Sequence, residues 1–262
     1  MSTLTRPLRV VESELIAYRR TWRGTVISSF VNPVLFLAAM GVGLGSLVDA
    51  SDNGLGIPYL PFVAAGLMAA TAMQAGAGDG SWPVMAGVKW RQEFHGAITT
   101  PIGPVDIVVG RFYWGVIRLT FMLGVFAVIA VRFGALEIGP ALLAVPPAVV
   151  TGLAFQTVIT AFTVTREDET SLSTLFRFGI IPLFLFSGTF FPISQMPDVL
   201  QWIAYATPLF HGVELVRKIA LPEIDAPAVT ALSVWIHVTY LVTMTGLGVF
   251  FATRFLSRRL RP

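Results

Sequence analysis

The sequence SGTFFPISQMPDVLQWIAYATPLFHGVELVRKIAL, residues 187–221, is too apolar for an ordinary loop and too rich in proline for one long helix. We expect Gly188 and Pro192 to end the apolar helix that precedes this stretch. Irregular backbone at the depth of a membrane is tolerated only where it is buried in protein or lines a cavity. The stretch therefore predicts two short helices that enter the membrane part of the way from its outer side.

Local signals place these two short helices. Asp198 follows a proline and predicts a helix that continues to Tyr205. Thr207 can cap a second helix that begins with Pro208 and runs to about residue 219, because proline is well tolerated in a first helical turn.

The composition of the whole chain indicates an all-α integral membrane protein. Of 262 residues, 55% are apolar and 13% are charged, which is more apolar surface than a soluble domain can hide from water. A helix needs about 20 apolar residues to cross the hydrocarbon core. We expect six such spans, at residues 25–48, 59–85, 106–131, 140–164, 172–191 and 228–252.

The same composition argues against several classes of protein. The sequence has no cysteine, so disulfides, thiolate metal sites and cysteine nucleophiles are excluded. The net charge of +3 does not indicate nucleic-acid binding, because the basic residues flank apolar segments instead of forming one soluble face. A secretory signal peptide is not expected, since no small-residue cleavage site closely follows the long first apolar run.

Basic residues predict the orientation of the spans. A cytoplasmic N-terminus places most of the 18 Lys and Arg residues in the cytoplasm, and leaves Arg132, Arg217 and Lys218 outside. An even number of spans then puts both termini in the cytoplasm.

Residues 6–22 predict an amphipathic helix that precedes the first span. Apolar residues recur there at helical spacing, at Leu8, Val11, Leu15, Tyr18 and Trp22. Such a helix is suited to lie along the cytoplasmic membrane surface. The alternative is a basic flank that only orients the first span. We therefore separate residues 1–23 from a six-span domain at residues 24–262.

Residues 88–111 form a long cytoplasmic stretch between the second and third spans. A short polar helix is expected at residues 89–95, and Pro101 and Pro104 prevent a continuous helix. The stretch also carries buried-type side chains, namely Trp90, Phe94, Ile98 and Ile102. These side chains favour a docking segment for another protein over the alternative, a solvated connector.

Catalytic chemistry is missing from the sequence. It contains no GxxxxGK[ST] phosphate loop, no HExxH and no GxSxG motif. His95, His211 and His237 are expected in different compartments, so a metal site is not predicted. The acidic residues at positions 167–169 fit a solvated turn, because consecutive positions do not converge on one helix face.

Three charged residues fall within or at the edge of the spans. We expect Asp79 and Arg177 to reach the interface or to pair within the bundle. Arg118 lies deeper, and packing and a polar translocation path are equally compatible with it.

These segments resemble the permease subunits of ABC-2 type exporters over nearly the whole chain. SGTFFPISQMPDVLQWIAYATPLFHGVELVR, residues 187–217, is similar to the family signature at the end of the fifth span. EFHGAITTPIGPVDIVVGR, residues 93–111, is similar to its first cytoplasmic coupling segment, and the N-terminal helix to its connecting helix. The subgroup that it most resembles includes nodulation-type lipooligosaccharide exporters and daunorubicin-resistance permeases.

The resemblance implies a permease in the cytoplasmic membrane of a prokaryote, surrounded by lipid and without nucleic acid. It implies two separate ATP-binding cassette ATPase subunits, which would bind the ATP and Mg²⁺, so that this chain needs no cofactor of its own. A second permease completes the transporter, as a second copy of this chain in a homodimer or as a different chain. The cargo would be an amphiphile, such as a lipid-linked saccharide, a lipooligosaccharide, a lipid or a drug.

The resemblance also implies roles for particular residues. Coupling to the ATPases would involve Arg91, Glu93, Gly96, Thr100 and Pro101. An extracellular gate would involve Gly188, Phe191, Pro192, Pro208, Glu214 and Arg217, of which Glu214 and Arg217 are spaced to form a pair on one helix. Arg118 would belong to the pathway, and no residue is assigned to catalysis or to a metal.

Two other classes remain as alternatives. A membrane-embedded lipid-modifying enzyme would need paired acids or histidines near one membrane face. A secondary transporter would show interrupted helices in both halves of the chain, whereas the sequence indicates one such interruption, after the fifth span.

Overall fold

The computed structural model describes residues 5–50, 56–222 and 232–260, and the regular secondary structure in these ranges is entirely helical. The α-helices in chain order are α1 (Arg6–Phe36), α2 (Leu44–Ala50), α3 (Tyr59–Gly80), α4 (Trp82–Met85), α5 (Glu93–Ala97), α6 (Pro104–Arg132), α7 (Ile138–Leu143), α8 (Val145–Val164), α9 (Thr170–Leu175), α10 (Ile181–Phe186), α11 (Asp198–Tyr205), α12 (Pro208–Ala220) and α13 (Val234–Arg259). Wider π-helical turns occupy Leu37–Gly43, Ala86–Trp90 and Phe176–Ile180.

Within the described ranges, four helical segments are long and apolar enough to cross a membrane: Tyr59–Trp90, Pro104–Arg132, Ile138–Val164 and Val234–Arg259. They coincide with the second, third, fourth and sixth expected spans, and they show a multi-pass membrane protein. The expected start of the sixth span at residue 228 lies outside the described residues. Its helix continues to Arg259, beyond the expected end at residue 252.

The other two expected spans fall on composite helices. The first overlaps the second half of α1, the π-helical Leu37–Gly43 and α2. The fifth overlaps the shorter apolar helix Thr170–Phe186. That helix ends at Phe186 and not at residue 191, because Gly188 adopts a left-handed conformation with φ of +82° that no helix continues.

The N-terminal helix differs from its expected form, since α1 has no break at residue 23. Gly24 is a weak interruption that costs only about 1 kcal/mol without an adjacent proline or cap. The first half of α1 packs along α6: a Cβ on Gly110 would lie 2.5 Å from the Cβ of Val10, and the rings of Tyr18 and Trp114 are 5.4 Å apart. The polar start of α1 is therefore continuous with the rest of the helix and packs against α6, and its place along the membrane surface stays a prediction.

Small residues allow the central helices to approach closely. A Cβ on Gly76 of α3 would lie 1.9 Å from the main-chain oxygen of Gly152 on α8. Only glycine fits there, so α3 and α8 are in backbone contact. The main apolar core lies around this contact, between α3, α6, α8 and α12.

The two short helices expected after the fifth span are present as α11 and α12. The hydroxyl of Thr207 accepts a hydrogen bond of 3.4 Å from the main-chain nitrogen of Phe210, so it caps α12 as expected. A Cβ on Gly212 would lie 2.4 Å from Thr151, well inside α8. Farther along α12, Ala220 borders the same groove as Pro58, beside the start of α3. α12 therefore runs from the depth of the bundle back toward its Tyr59 end.

Candidate functional site

A cluster of charged and polar side chains is buried where α1, α3, α6 and α8 meet. We call it the buried polar cluster and define it as Glu14, Asp79, Arg111, Arg118 and Gln156. Arg118 of α6 forms an ion pair with Asp79 of α3, and only 8% of Asp79 is exposed. Asp79 thus pairs within the bundle, one of its two expected arrangements.

Arg111 connects the other members of the cluster. Its guanidinium forms an ion pair with Glu14 of α1 and donates a hydrogen bond of 3.0 Å to the main-chain oxygen of Asp79. The side-chain amide of Gln156 donates a hydrogen bond of 3.1 Å to the main-chain oxygen of Arg111. The guanidinium also lies 6.0 Å from the ring centre of Phe94 in α5. The side chain of Arg111 therefore contacts α1, α3 and α5, and its main-chain oxygen is bound by α8.

The charges within this cluster balance, since two arginines face two carboxylates. A buried ion pair is stable only while both partners remain, because either charge alone would be desolvated without compensation. Arg118 keeps about a quarter of its side chain exposed, at 24%. The structure therefore shows Arg118 as a packed, paired residue and leaves its role in a path as a prediction.

The expected coupling residues lie together on one exposed surface. Arg91, Glu93, Gly96, Thr100 and Pro101 are all exposed. Arg91 and Glu93 form an ion pair of 2.9 Å at this surface. The expected helix at residues 89–95 is replaced by the π-helical turn Ala86–Trp90 and by α5, because Gln92 between them has a φ of +52°.

The apolar side chains of this segment point in two directions. Phe94 is buried, and it packs against Val84, Val88 and Ile107, with Ile98 and Ile102 at the edge of the same cluster. Trp90 is 52% exposed. Phe94 therefore anchors the segment to α6, and docking of a partner on the segment stays a prediction.

The segment is also tied to the end of the last span. Lys89 donates a hydrogen bond to the main-chain oxygen of Glu167, and the carboxylate of Glu167 lies 3.2 Å from the guanidinium of Arg259. Arg259 further donates a 2.7 Å bond to the main-chain oxygen of Arg166. The acidic turn expected at residues 167–169 is thus exposed, and it links the π-helical turn that ends at Trp90 to the C-terminal end of α13.

Arg217 lies at the opposite end of the bundle, where α3 begins at Tyr59, and it connects several elements there. It is 1% exposed and forms an ion pair of 3.3 Å with Glu214, as the spacing predicts. It donates a 2.9 Å hydrogen bond to the main-chain oxygen of Gly188, and its guanidinium lies 3.8 Å from the ring centre of Phe62. The guanidinium is charged at neutral pH, and the carboxylate of Glu214 balances its charge.

Three of the expected gate residues thus meet: Gly188, Glu214 and Arg217. Pro192 is buried nearby, while Phe191 and Pro208 are half-buried. The hydroxyls of Ser187 and Thr207 lie 3.1 Å apart, which ties the end of α10 to the start of α12. These contacts join the start of α3, the end of α10 and α12.

Two histidines that the sequence analysis placed in different compartments are in contact, so that interpretation is wrong. The Nδ1 atoms of His211 and His237 are 2.9 Å apart. Sequence distance concealed the contact, because α12 and α13 meet only in the folded bundle. Across the part of the chain that the structure describes, no group of three or more His, Cys, Asp or Glu side chains could hold a metal ion.

Comparison with known proteins gives a consistent result. The family model described as ABC-2 type transporter matches residues 8–221. Nodulation protein J of Rhizobium meliloti (strain 1021) is 28% identical over 94% of this chain and 91% of its own length. Nodulation protein J of Sinorhizobium fredii is 28% identical over 94% of this chain and 90% of its own length, and that of Neorhizobium galegae is 24% identical over 99% and 95%.

Proposed function

The chain belongs to the ABC-2 type transporter family, and from that premise we propose that it is the permease subunit of an ATP-driven exporter whose ATPase subunits are separate chains. The relatives named Nodulation protein J match it over nearly their full length, which makes it a permease of the nodulation-type subgroup. Its role is therefore in transport.

We propose six spans with both termini in the cytoplasm of a prokaryote, and α11 and α12 re-entering the membrane from outside. Residues 1–23 would form the connecting part of α1, and residues 24–262 the permease domain. The distribution of basic residues supports this orientation, which makes the Trp90 end of the bundle cytoplasmic. The course of α12 from the depth of Thr151 back toward Pro58 supports re-entry.

The observation that carries the proposed mechanism is the position of Arg111. The exposed surface of Arg91, Glu93, Gly96, Thr100 and Pro101 would receive an ATPase subunit. Movement of that surface would be passed to Phe94 and then to the guanidinium of Arg111 beside it. From Arg111 it would reach α1, α3 and α8 through the buried polar cluster. Such coupling requires the ATPase to contact the two states of the permease differently.

The Tyr59 end would form the extracellular gate. Arg217 holds the Gly188 turn and α12 together, so release of cargo would require these contacts to rearrange. Pro192, Phe191 and Pro208 fix the irregular backbone around that turn.

The proposed transporter contains two copies of this chain and two ATPase subunits, which bind the ATP and Mg²⁺. An exposed apolar side of Thr170–Phe186, including Phe178, Ile181 and Phe186, fits a second copy or membrane lipid. An amphiphilic cargo with an acyl portion suits a wall of aromatic and aliphatic side chains better than a small ion does.

The test is reconstitution of this chain with an ATP-binding cassette ATPase subunit from the same organism. ATP-dependent movement of lipids, glycolipids or drugs across the vesicle membrane supports the proposal. Movement driven by an ion gradient without ATP would support a secondary transporter, and covalent change of a lipid without its movement would support an enzyme.

A further inference from the structure

The contact between His211 and His237 joins the short helix α12 to the last long helix. Their Nδ1 atoms lie 2.9 Å apart, and the two side chains are 6% and 0% exposed. At this distance the two nitrogens share one hydrogen, so one imidazole donates and the other accepts. We call these two residues the histidine pair.

Aromatic side chains enclose the histidine pair. The ring of His211 stacks on Tyr240 with centres 4.0 Å apart, and Phe210 meets both imidazoles edge-on at 5.2 and 5.8 Å. The hydroxyl of Tyr240 donates a 2.9 Å hydrogen bond to the main-chain oxygen of Ala206. The contact between α12 and α13 is therefore specific and shielded from water.

The hydrogen bonds define which nitrogens carry hydrogen. A hydrogen on Nε2 of His237 would be a buried N–H group without an acceptor, so His211 accepts at Nδ1 from His237 and keeps its own hydrogen on Nε2. His237 then carries its hydrogen on Nδ1. Its Nε2 is buried and has no hydrogen-bond partner among the described residues.

If the pair takes up a proton, the new N–H group has no hydrogen-bond acceptor in this arrangement. A proton on Nε2 of His237 becomes a buried N–H group without a partner. A proton on Nδ1 of His211 places two N–H groups face to face unless His237 moves its own hydrogen to Nε2, which produces the same unpaired group. In the neutral pair the facing N–H group has an acceptor, whereas in the charged pair one buried N–H group has none.

Few charged groups oppose this preference. On α12 the charged residues that follow His211 are Glu214, Arg217 and Lys218, and Glu214 and Arg217 pair with each other. The helix α8, which packs against both α12 and α13, has no titratable residue along its length, and α13 contributes Tyr240 beside the pair. Burial of both imidazoles disfavours a positive charge on either one.

We infer that the histidine pair is a proton-sensitive latch, which holds α12 against α13 while both imidazoles are neutral and releases α12 when a proton is added. For its consequence in transport this inference rests on the proposed function, because α12 carries the gate residue Arg217. Since an added N–H group has no acceptor in the latched state, the released state binds the proton first. Latching is complete above about pH 6.5 and is lost as the pH falls below that value.

The test uses the whole chain in lipid nanodiscs, without ATPase or cargo. The sequence has three histidines, so ¹⁵N-histidine labelling resolves each one, with the exposed His95 as the internal reference. At about pH 7.5 we expect complementary neutral tautomers, with hydrogen on Nε2 of His211 and on Nδ1 of His237. Amide hydrogen exchange over α12, corrected for the intrinsic pH dependence, should be at least about tenfold faster at about pH 5.5 than at about pH 7.5.

The variant H237F keeps an aromatic ring but cannot titrate, and H95Q is its matched control. We expect H237F to abolish the pH dependence of α12 exchange and H95Q to leave it intact. Equal protection of α12 at both pH values in the unchanged protein would overturn the inference, as would identical tautomers for His211 and His237. These readouts involve no transport, so their outcome is separate from that of the proposed function.

Discussion

Arg217 of α12 donates a hydrogen bond of 2.9 Å to the main-chain oxygen of Gly188, just beyond the end of α10. The same guanidinium pairs with Glu214 and lies over the ring of Phe62 in α3. One buried side chain therefore joins α3, α12 and the left-handed turn at Gly188.

Replacing Arg217 by alanine should lower the free energy of unfolding by about 3 kcal/mol, because it breaks a buried ion pair and removes the donor to Gly188. Arg217→Lys should lower the free energy of unfolding by less than the alanine change, but not leave it unchanged. An ammonium group lacks the planar fork with which the guanidinium bonds to both Glu214 and the main-chain oxygen of Gly188. Thermal unfolding in detergent measures both changes. Arg177→Ala, on an exposed side chain, is the control. Equal melting temperatures for R217A and R177A would contradict the assignment.

Gly76→Ala should destabilise the bundle, because its Cβ would lie 1.9 Å from the main-chain oxygen of Gly152 and would force α3 and α8 apart. Gly124→Ala on α6 is the matched control, since its Cβ meets nothing within 4 Å. There the change should be neutral or stabilising by up to about 1 kcal/mol. Melting temperatures of the two variants decide the point, and a similar effect from both would refute close α3–α8 contact.

The ion pair between Asp79 and Arg118 predicts a strongly non-additive double-mutant cycle. Arg118→Met alone leaves the carboxylate of Asp79 buried without its cation, which should cost about 3 kcal/mol. Adding Asp79→Leu should recover much of that loss, because two apolar side chains need no compensation. Chemical unfolding of the four proteins measures the coupling. If R118M instead reduces transport with no loss of stability, Arg118 acts as a pathway residue and not as a packing residue.

Local signals predicted α11 and α12 well, because proline and the Thr207 cap act within a few residues of each helix start. The pairing of Glu214 with Arg217 was equally accessible, since it depends only on helical spacing. Continuity of α1 was missed because Gly24 resembles a boundary although nothing else there ends a helix. The contacts of α1 with α6 accompany this continuity, and such contacts between distant parts of the chain cannot be seen in a local sequence pattern.

Contacts between distant helices were the part that sequence could not supply. Asp79 and Arg118 lie on different helices, and the signal that could have joined them is the presence of opposite charges within two apolar spans. The central position of Arg111 depends on four elements meeting at one point. His211 and His237 carry no pattern in sequence that indicates their contact.

Glu93→Lys should uncouple ATP hydrolysis from transport without loss of folded protein, because the Arg91–Glu93 pair is exposed and contributes little to stability. Reversal of charge on this surface should weaken its complementarity with a docked ATPase subunit. Transport per ATP hydrolysed is the measurement, with the melting temperature as a check on folding. Ser194→Ala, exposed near the other end of the bundle, is the control. Normal coupling in E93K would remove Glu93 from the docking surface.

The central claim is that this permease works through separate ATPase subunits that dock on the surface around α5. Its most direct measurement is purification of the tagged chain from membranes of its native host, followed by assay of ATP hydrolysis in the purified complex. We predict that an ATP-binding cassette subunit and its ATPase activity accompany the unchanged chain, and that both are reduced in E93K but not in S194A. Intact chain without any associated ATPase, or equal ATPase activity with E93K and the unchanged chain, would contradict the account.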